Sequence, residues 1–389
     1  MISFIDYFKN LPNILKRVTS GSRVIPEIDG LRFLAIVPVI LQHFKERMER
    51  ISPTFNSKPD KIFDSILSQG HIGVYIFFCI SGFILALPFA KQKLDNQKPV
   101  SLGKYYLRRL TRLEPPYIIC LTLFFLVLVF LKHQSASQLL PHYWASFFYL
   151  HRIIYGVWSP INPLLWTLEV EVQFYIIAPF LAIAYFSIQQ KWIRRVLIIL
   201  IIVAKIVLAN STNLFDHLGI TFPNVMEFFF TGILLSDIFV ADWNGEINKH
   251  WIFNVITIFA LLVLFSTWTW DKNILWKFLF LGALFLTIYS SFRATSVNSF
   301  FRNKWVTSLG GMCYSIYLIH LGLIEVFVGA FKRGILLTDH FMFNYFWGLL
   351  LFIPIILVAS CTFFLVIEKP CMDPNWPIEL YNKVFPKKV

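Results

Sequence analysis

Apolar runs long enough to cross a bilayer recur along this chain almost to its end, and they constrain the fold more than any other feature. A transmembrane helix needs about 20 mostly apolar residues, and helices satisfy every backbone polar group inside the bilayer. The composition agrees, because 57% of the residues are hydrophobic, 18% are aromatic and only 15% are charged, unlike a soluble domain. We therefore predict an all-α integral membrane fold, a polytopic bundle of about ten transmembrane helices. The spans are expected at residues 28–44, 71–90, 114–132, 164–187, 193–210, 224–241, 251–268, 274–291, 309–330 and 345–367.

The basic residues indicate how the bundle is oriented. A net charge of +13 would be compatible with nucleic-acid binding, but most of the 35 Lys and Arg residues fall in alternate loops, as the positive-inside rule requires. The segment 45–50 is an exception, since it is basic yet is placed outside. We predict an even number of spans, both termini cytoplasmic, contact with membrane lipid and no nucleic-acid partner.

Three segments are predicted along the chain: a cytoplasmic N-terminal segment at 1–27, the membrane domain at 28–370 and a short cytoplasmic C-terminal tail at 371–389. The first segment is polar and basic and lacks the features of a cleavable signal peptide. The tail is too short for an appended soluble domain. The five cysteines have no metal-ligand spacing, so we predict neither a disulfide framework nor a metal site.

Arg32 and His43 stand eleven residues apart in the first predicted span. At about 100° per residue, eleven steps amount to three turns within roughly 20°, so both side chains project from one face, about 16 Å apart along the axis. The pattern predicts a phosphate-sized cationic site near one surface and a proton-handling imidazole well inside the membrane. Such a spacing would suit a long donor molecule.

An arginine-rich motif precedes the third predicted span. Arg109 and Arg112 lie three residues apart, and Arg108 comes directly before them. Such a fork can bind phosphate bidentately. An anchor to lipid headgroups is the alternative, and the two uses are compatible.

Two carboxylates, Glu169 and Glu171, lie in the fourth predicted span. Ionisable groups inside a bilayer are costly and are expected to face the bundle interior or a water-filled cavity. Because two residues correspond to about 200° on a helix, at most one carboxylate joins a given site. A paired acid/base mechanism is disfavoured, whereas one carboxylate that orients a histidine or a substrate hydroxyl stays open. If the helix begins near residue 164, Glu169 lies close to the interface and is hydrated.

Other polar residues lie within or beside the predicted spans. Ser81 and Gly82 favour close packing of helices. His71, near the outer entrance of the second span, is either a substrate contact or an interfacial histidine. Tyr317 lies three residues before His320, on the same side of a helix. A hydrogen-bonded structural histidine and a functional one explain His320 equally well.

Aromatic rings are abundant ahead of the fourth span, from His142 to Trp158. Aromatic faces stack on the apolar faces of sugars, and the alternative is the aromatic belt of any membrane interface. In both interpretations the segment lies at the outer surface.

Taken in order, these clusters resemble the acyltransferase 3 family, integral-membrane O-acyltransferases that modify bacterial surface glycans and some small molecules. The resemblance runs from residue 28 to residue 370, and an arginine followed eleven residues later by a histidine is its most specific piece. Tyr75 stands where many members carry Asp, and Glu169 where a small residue is common, so acceptor specificity is left open. The motifs are Ile28-Asp29-Gly30-Leu31-Arg32 with His43, Gly73-Val74 with Phe77-Phe78 and Ser81-Gly82-Phe83, Arg108-Arg109 with Arg112 and Pro115, Trp166 with Glu171 and Phe174-Tyr175, Tyr314-Ser315 with Tyr317 and His320, and Glu368-Lys369-Pro370.

The resemblance implies an O-acyltransferase that uses acyl-CoA, by default acetyl-CoA, from the cytoplasm. It also implies an acceptor hydroxyl of a carbohydrate or lipid-linked glycan at or beyond the outer face, and a multi-pass location in a bacterial cytoplasmic (inner) membrane. Some members carry a C-terminal hydrolase-like domain; we predict that this chain lacks one and acts alone or with a separate periplasmic acyl-transfer partner. The candidate residues are His43 and Glu171 as catalytic, Arg32, Arg108, Arg109 and Arg112 as donor-binding, and His71, Trp166, Tyr317 and His320 as substrate-binding.

Two chemical routes are open for His43. A neutral imidazole can remove the proton of the hydroxyl as it attacks the thioester, an effect worth roughly 10² to 10⁴ in rate. Alternatively the imidazole is a nucleophile and carries the acyl group outward. A multi-pass transporter or flippase of an acylated or glycan substrate is the rival hypothesis, because intramembrane His and Glu also build proton relays.

Overall fold

The computed structural model describes residues 10–18, 24–52, 58–212, 221–243, 246–267, 273–334, 338–373 and 375–377. Within these residues the regular secondary structure is helical and no strand occurs, which confirms the predicted all-α class. The helices, numbered in chain order, are α1 (Pro26–Met48), α2 (Lys58–Leu67), α3 (Ile72–Leu94), α4 (Leu102–Leu126), α5 (Ala136–Phe147), α6 (His151–Tyr155), α7 (Leu165–Ser187), α8 (Lys191–Ser211), α9 (Phe222–Ala241), α10 (Ile252–Thr267), α11 (Ile274–Arg293), α12 (Ser296–Phe301), α13 (Lys304–Gly311), α14 (Cys313–Gly334) and α15 (Phe341–Phe363).

Seven helical segments in the described part of the chain are long and apolar enough to cross a membrane. Each of the ten predicted spans overlaps a helix, but α1, α8 and α10 are outside that group of seven. α1 and α8 carry several charged residues, and α10 has only 16 residues. The polytopic membrane fold is confirmed, whereas the count of ten and the cytoplasmic termini stay predictions.

The helices divide between two compact units. The first unit comprises Met1–Gly73, Arg108–Cys120 and Ser299–Val389, and the second comprises Val74–Leu107 and Leu121–Asn298. Helices α1, α2, α13, α14 and α15 therefore belong to the first unit, together with the middle of α4. Helices α5 to α11 belong to the second unit.

In the first unit, α1 packs along α13 and α14. Gly310 of α13 approaches the backbone of Asp29 so closely that a Cβ at this position would overlap the Asp29 carbonyl oxygen. Farther along the chain, His320 of α14 contacts His43. Because residues later in α13 and α14 meet residues later in α1, this part of the chain runs in the same direction as α1 and packs its side chains against it over several turns.

Aromatic side chains fix α15 against the C-terminal half of α1. Phe44 is fully buried, and its ring stacks on that of Phe352 with the centroids 5.2 Å apart. The Tyr345 ring meets Phe44 edge-on at 5.5 Å, and its hydroxyl donates to the Leu41 carbonyl at 3.1 Å. These contacts hold the part of α1 that carries His43.

In the second unit, α3 and α9 approach each other through glycine. A Cβ on Gly82 would overlap the backbone of Phe229, and a Cβ on Gly232 would overlap that of Cys79. The Phe229 ring also stacks on Phe78, with the centroids 4.8 Å apart. The close contact agrees with the packing role predicted for Gly82.

Candidate active site

Helix α1 carries both residues of the first motif. Pro26 lies in the first turn, where a helix has no intrahelical use for the missing N–H group. The helix then continues through Pro38 to Met48. Arg32 and His43, both half-buried, therefore stand on one continuous helix, as the sequence predicts.

His43 lies against His320 of α14. Nδ1 of His43 is 2.9 Å from Nε2 of His320, and the planes of the two rings lie 22° apart with the ring centroids 5.2 Å from each other. Nδ1 of His320 faces the carbonyl oxygens of Tyr317 at 2.8 Å and Ile316 at 3.2 Å. The Tyr317 ring is 5.6 Å from that of His320, whose side chain has no exposed surface. The structure thus brings together three predicted site residues, His43, Tyr317 and His320.

His71 reaches the same part of α1 from the start of α3. Its backbone N–H donates to Oε1 of Gln42 at 2.6 Å, and its ring Nδ1 lies 3.0 Å from the Ser68 carbonyl oxygen. Gln42 directly precedes His43, and the His71 and His43 side chains interact electrostatically. His71 is therefore, after Tyr317 and His320, the third predicted site residue outside α1 that lies beside His43.

Arg47 and Glu325 form an ion pair one turn beyond the histidines. Nε of Arg47 donates to Oε1 of Glu325 at 2.9 Å, and Arg50 donates to the same oxygen at 3.0 Å. Arg47 interacts electrostatically with His43 and His320. The Arg47 guanidinium thus lies near the imidazole pair, while the carboxylates of Glu325 and Glu46 pair with it.

Toward the start of α1, Asp29 joins two arginines. Arg32 donates from Nη1 to Oδ1 of Asp29 at 2.7 Å, and Nε of Arg17 is 3.2 Å from Oδ2. Arg17 also interacts electrostatically with Arg112 of α4. Burial, followed by the like charge of Arg32, lowers the pKa of Arg17, although a guanidinium stays protonated at neutral pH. This crowding of three guanidinium groups, the arginine cluster of the first unit, favours a bound anion.

Glu368 anchors the other side of the arginine cluster. Its carboxylate is fully buried, and Oε2 accepts hydrogen bonds from the backbone N–H of Ser315 at 3.1 Å and from the Ser315 hydroxyl at 2.5 Å. Oε1 is 3.9 Å from Nη2 of Arg112. The Tyr314 hydroxyl donates to the Leu113 carbonyl at 2.9 Å. The predicted motif residues at 314–315 and at 368 therefore orient α4 and Arg112.

The remaining arginines of the predicted fork lie differently on α4. Arg108 is exposed and Arg109 is half-buried. Of the three, Arg112 is the one that the structure brings into electrostatic contact with Arg17. The donor-binding roles of Arg108 and Arg109 stay predictions.

The two carboxylates of α7 have separate partners in the second unit. The Ser81 hydroxyl donates to Glu171. Glu169 is 1% exposed and accepts a hydrogen bond from the backbone N–H of Arg152 at 2.7 Å. The hydrated alternative for Glu169 is therefore wrong, because the first turn of α6 covers the carboxylate. The predicted substrate residue Trp166 packs its ring 5.7 Å from that of Trp158, and its role, like that of Glu171, stays a prediction.

A second arginine–carboxylate cluster surrounds Asp237 in the second unit. Arg194 donates to this carboxylate through two nitrogens, at 2.6 and 2.7 Å. Arg195 donates to it at 3.2 Å, and the Tyr185 hydroxyl donates to it at 2.8 Å. Arg194 also donates to the carbonyl oxygens that end α7, at positions 188 and 189. Each charge in this closed cluster has a structural partner.

A second histidine pair lies in the aromatic segment. Nδ1 of His142 is 2.9 Å from Nε2 of His151, and the His151 side chain also bonds to the backbone of Val157. The Tyr155 ring stands 4.4 Å from the His142 ring. Burial, and then the neighbouring His142, lower the pKa of His151 to about 4. His151 is therefore neutral at physiological pH and ties α5 to α6.

Sequence reasoning missed Arg17, Arg47 and the role of Glu325. Arg47 follows His43 by four residues, a spacing that places both on one helix face, so helical periodicity could have found it. Glu325 lies in the ninth predicted span, where its sequence neighbours indicate no role. Arg17 precedes the predicted membrane domain, and no local pattern connects it with Asp29.

Comparison with known proteins agrees with these motifs. The family model described as "Acyltransferase domain" matches residues 25–368. The peptidoglycan O-acetyltransferase OatA of Listeria monocytogenes is 31% identical over 209 residues, which cover 51% of this chain and 30% of that protein. The O-acetyltransferase OatA of Staphylococcus aureus is 26% identical over 339 residues, 79% of this chain and 52% of that protein.

A putative O-acetyltransferase of Staphylococcus aureus strain COL is 24% identical over 333 residues, 78% of this chain and 51% of that protein. The chain thus spans about half the length of these relatives, or less. No solved structure matches the chain.

Proposed function

This chain belongs to the acyltransferase 3 family, and on that basis we propose that it is a membrane O-acetyltransferase that moves an acetyl group from acetyl-CoA to a hydroxyl of a cell-surface carbohydrate. The observation that carries the proposal is the alignment of two chemical groups on one helix. α1 bears an arginine of the arginine cluster near its start and, three turns later, an imidazole paired with a second imidazole. A long thioester with phosphates at one end matches this order of groups.

The arginine cluster of the first unit supplies the phosphate site in this proposal. Arg17, Arg32 and Arg112 interact electrostatically within a small region, and the Arg17 and Arg32 side chains keep part of their surface exposed. Guanidinium groups bind phosphate oxygens through paired, charge-assisted hydrogen bonds. The anionic end of coenzyme A would be held here, with its pantetheine arm along α1 toward His43.

Acyl transfer then requires a base at the thioester. The acceptor hydroxyl oxygen attacks the thioester carbonyl carbon while Nε2 of His43 takes the hydroxyl proton, and collapse of the tetrahedral intermediate breaks the carbon–sulfur bond. The imidazolium returns its proton to the departing thiolate, so His43 is unchanged after one turnover. Arg47 lies close enough to interact with the imidazole electrostatically and would stabilise the developing oxyanion.

The proposal also states from which side of the membrane the donor enters and which hydroxyl receives the acetyl group. The donor enters from the cytoplasmic face of a bacterial inner membrane, and the acetyl group is handed over deep in the bilayer or near its outer face. The names of the relatives include peptidoglycan O-acetyltransferase, which makes a peptidoglycan or lipid-linked glycan hydroxyl the first acceptor to test. A separate periplasmic partner is a second route for the group to reach the glycan.

Reconstituted protein tests this function. The full chain in liposomes is given acetyl-CoA labelled in the acetyl group, together with peptidoglycan fragments or a lipid-linked glycan. We expect free coenzyme A and acetyl ester to form in equal amounts, only when acceptor is present, and not with His43→Ala. Transport of labelled solute without cleavage of the thioester would instead establish a transporter and overturn the proposal.

A further inference from the structure

We propose that His320 is a positioning residue that fixes the tautomer of His43, so that Nε2 of His43 carries the lone pair that accepts the hydroxyl proton. The inference rests on the proposed function and assigns His320 a task different from the substrate contact expected from the sequence. It follows from the order of donors and acceptors along one chain of hydrogen bonds.

The chain begins at carbonyl oxygens of α14. Nδ1 of His320 lies 2.8 Å from the Tyr317 carbonyl oxygen and 3.2 Å from that of Ile316. Carbonyl oxygens only accept hydrogen bonds, so Nδ1 of His320 must carry a hydrogen. The position of this hydrogen is therefore set by the partners of the ring.

The charge of His320 decides what its other nitrogen does. Its ring nitrogens contact two carbonyl oxygens and the imidazole of His43, none of which carries a negative charge. The side chain is fully buried, and an isolated charge in such a place is costly. His320 is therefore neutral, and its Nε2 has a lone pair instead of a hydrogen.

His43 must then be the donor within the pair. Nε2 of His320 and Nδ1 of His43 are 2.9 Å apart, and with an acceptor on His320 the hydrogen lies on Nδ1 of His43. A neutral His43 then has its lone pair on Nε2. The reversed pair would place a hydrogen on Nε2 of His320 and leave Nδ1 of that ring facing two carbonyl oxygens without one, an arrangement that buries repelling lone pairs.

The arrangement also helps His43 after it takes the proton. The imidazolium then donates from Nδ1 to the lone pair of His320, and a hydrogen bond from a charged donor is stronger than one between neutral groups. In serine hydrolases an aspartate orients the histidine in the same way. Here a neutral imidazole, held by its own helix, would provide the orientation without placing a carboxylate inside the membrane.

Two substitutions at His320 test whether His43 needs a hydrogen-bond acceptor at this position or only a side chain that fills the space. His320→Gln keeps an amide oxygen near the position of Nε2, whereas His320→Leu fills space without any acceptor. His151→Leu, which removes a buried histidine from the other pair, is the matched control. All variants are compared as monodisperse protein with acetyl-CoA and acceptor.

We expect His320→Leu to lower kcat by about 10² or more, since a histidine base in the wrong tautomer loses most of its effect. KM for acetyl-CoA should stay close to the wild-type value. His320→Gln should keep kcat within about tenfold of wild type, because an amide oxygen is an adequate acceptor. Equal loss in both variants, a rise in KM that accounts for the loss, or no loss in His320→Leu would overturn the assignment.

Nitrogen-15 NMR of histidine-labelled protein provides a readout that does not need turnover. The His43 signals are identified by their loss in His43→Ala. We expect Nδ1 of His43 to be protonated and Nε2 to be unprotonated in wild type and in His320→Gln, and a change in this pattern in His320→Leu. Protonated Nε2 in neutral wild-type His43 would overturn the tautomer assignment even if acetyl transfer is confirmed. An inactive wild-type protein with the expected tautomer would instead contradict only the proposed function.

Discussion

The two arginine–carboxylate clusters use the same groups but leave different amounts of them exposed. In the second unit, the side chains of Arg194 and Asp237 are 2% and 0% exposed, and the carboxylate is shared by three donors. In the first unit, Arg17 and Arg32 around Asp29 keep 12% and 15% of their side-chain surface. A buried charge is therefore a poor indicator of function by itself, and we expect the cluster whose guanidinium groups keep some exposure to be the one that binds an anion.

The two histidine pairs differ in their setting. His43 and His320 come from two long helices of the first unit, and an electrostatic neighbour, Arg47, accompanies them. His142 and His151 lie nine residues apart and join two short helices. The nitrogen–nitrogen distance is 2.9 Å in both pairs, and we expect only the first pair to take part in chemistry.

Removing His43 should have the largest effect on activity. His43→Ala deletes the base and should lower the rate of acetyl transfer by roughly 10² to 10⁴. The matched variant His142→Ala should stay within about threefold of wild type, because it removes a contact between α5 and α6 only. Rates are measured by release of coenzyme A at equal amounts of folded protein. Equal losses in both variants would remove the distinction between the pairs.

Breaking the closed cluster should affect stability more than turnover. Asp237→Ala leaves Arg194 buried without its carboxylate and Arg195 with Asp242 alone, and breaking a buried ion pair costs about 3–5 kcal/mol. Asp29→Ala should destabilise less, because solvent reaches Arg17 and Arg32. Thermal unfolding in detergent compares the two variants. A larger loss of stability at Asp29 would contradict the comparison of the clusters.

Removing an arginine from the arginine cluster of the first unit should weaken the binding of acetyl-CoA. Arg32→Ala removes one guanidinium from the proposed phosphate site and should raise KM for acetyl-CoA by about tenfold, as expected for one charge-assisted hydrogen bond. Arg333→Ala, at an exposed position near the end of α14, is the control and should leave KM unchanged. If titration of Arg32→Ala gives the wild-type donor affinity, this arginine does not hold the phosphates.

The smallest expected effect is a pH dependence from His151. Its pKa is about 4 in the folded protein, below the value near 6.5 of a free histidine. Between these values the unfolded chain binds a proton that the folded chain does not, so stability decreases as the pH falls from 6.5 toward 4. The unfolding temperature of wild type should drop more between pH 7.5 and pH 5 than that of His151→Gln. Equal drops would mean that His151 is not held neutral.

Local features of the fold could be predicted from the sequence, and helix ends could not. The first span was predicted at 28–44, and the helix extends from Pro26 to Met48. It continues because Lys45 near its end is paired with Glu49 at 3.0 Å and also with Asp64, so a charged turn stays helical. Hydropathy does not detect such pairing, since it counts each charge by itself and one of the partners, Asp64, comes from another segment.

In the candidate site, too, some features could be predicted from one segment of sequence and others depend on tertiary packing. The shared face of Arg32 and His43 follows from helical periodicity within one segment. The contact between His43 and His320 joins residues 277 positions apart, and it depends on how α1 and α14 pack. The salt bridge between Arg17 and Asp29 likewise depends on tertiary structure. Periodicity therefore identified the groups, and packing decided their partners.

The direction in which acetyl-CoA lies along α1 is tested most directly by photocrosslinking. Two acetyl-CoA analogues, one with a photoreactive acyl group and one with a photoreactive adenine, are bound to the reconstituted protein and the labelled peptides are identified by mass spectrometry. We predict that the acyl label attaches near His43, within residues 38–48 or 314–325, and the adenine label near Arg17, Arg32 or Arg112. The reverse order, or both labels within residues 121–298, would contradict the account.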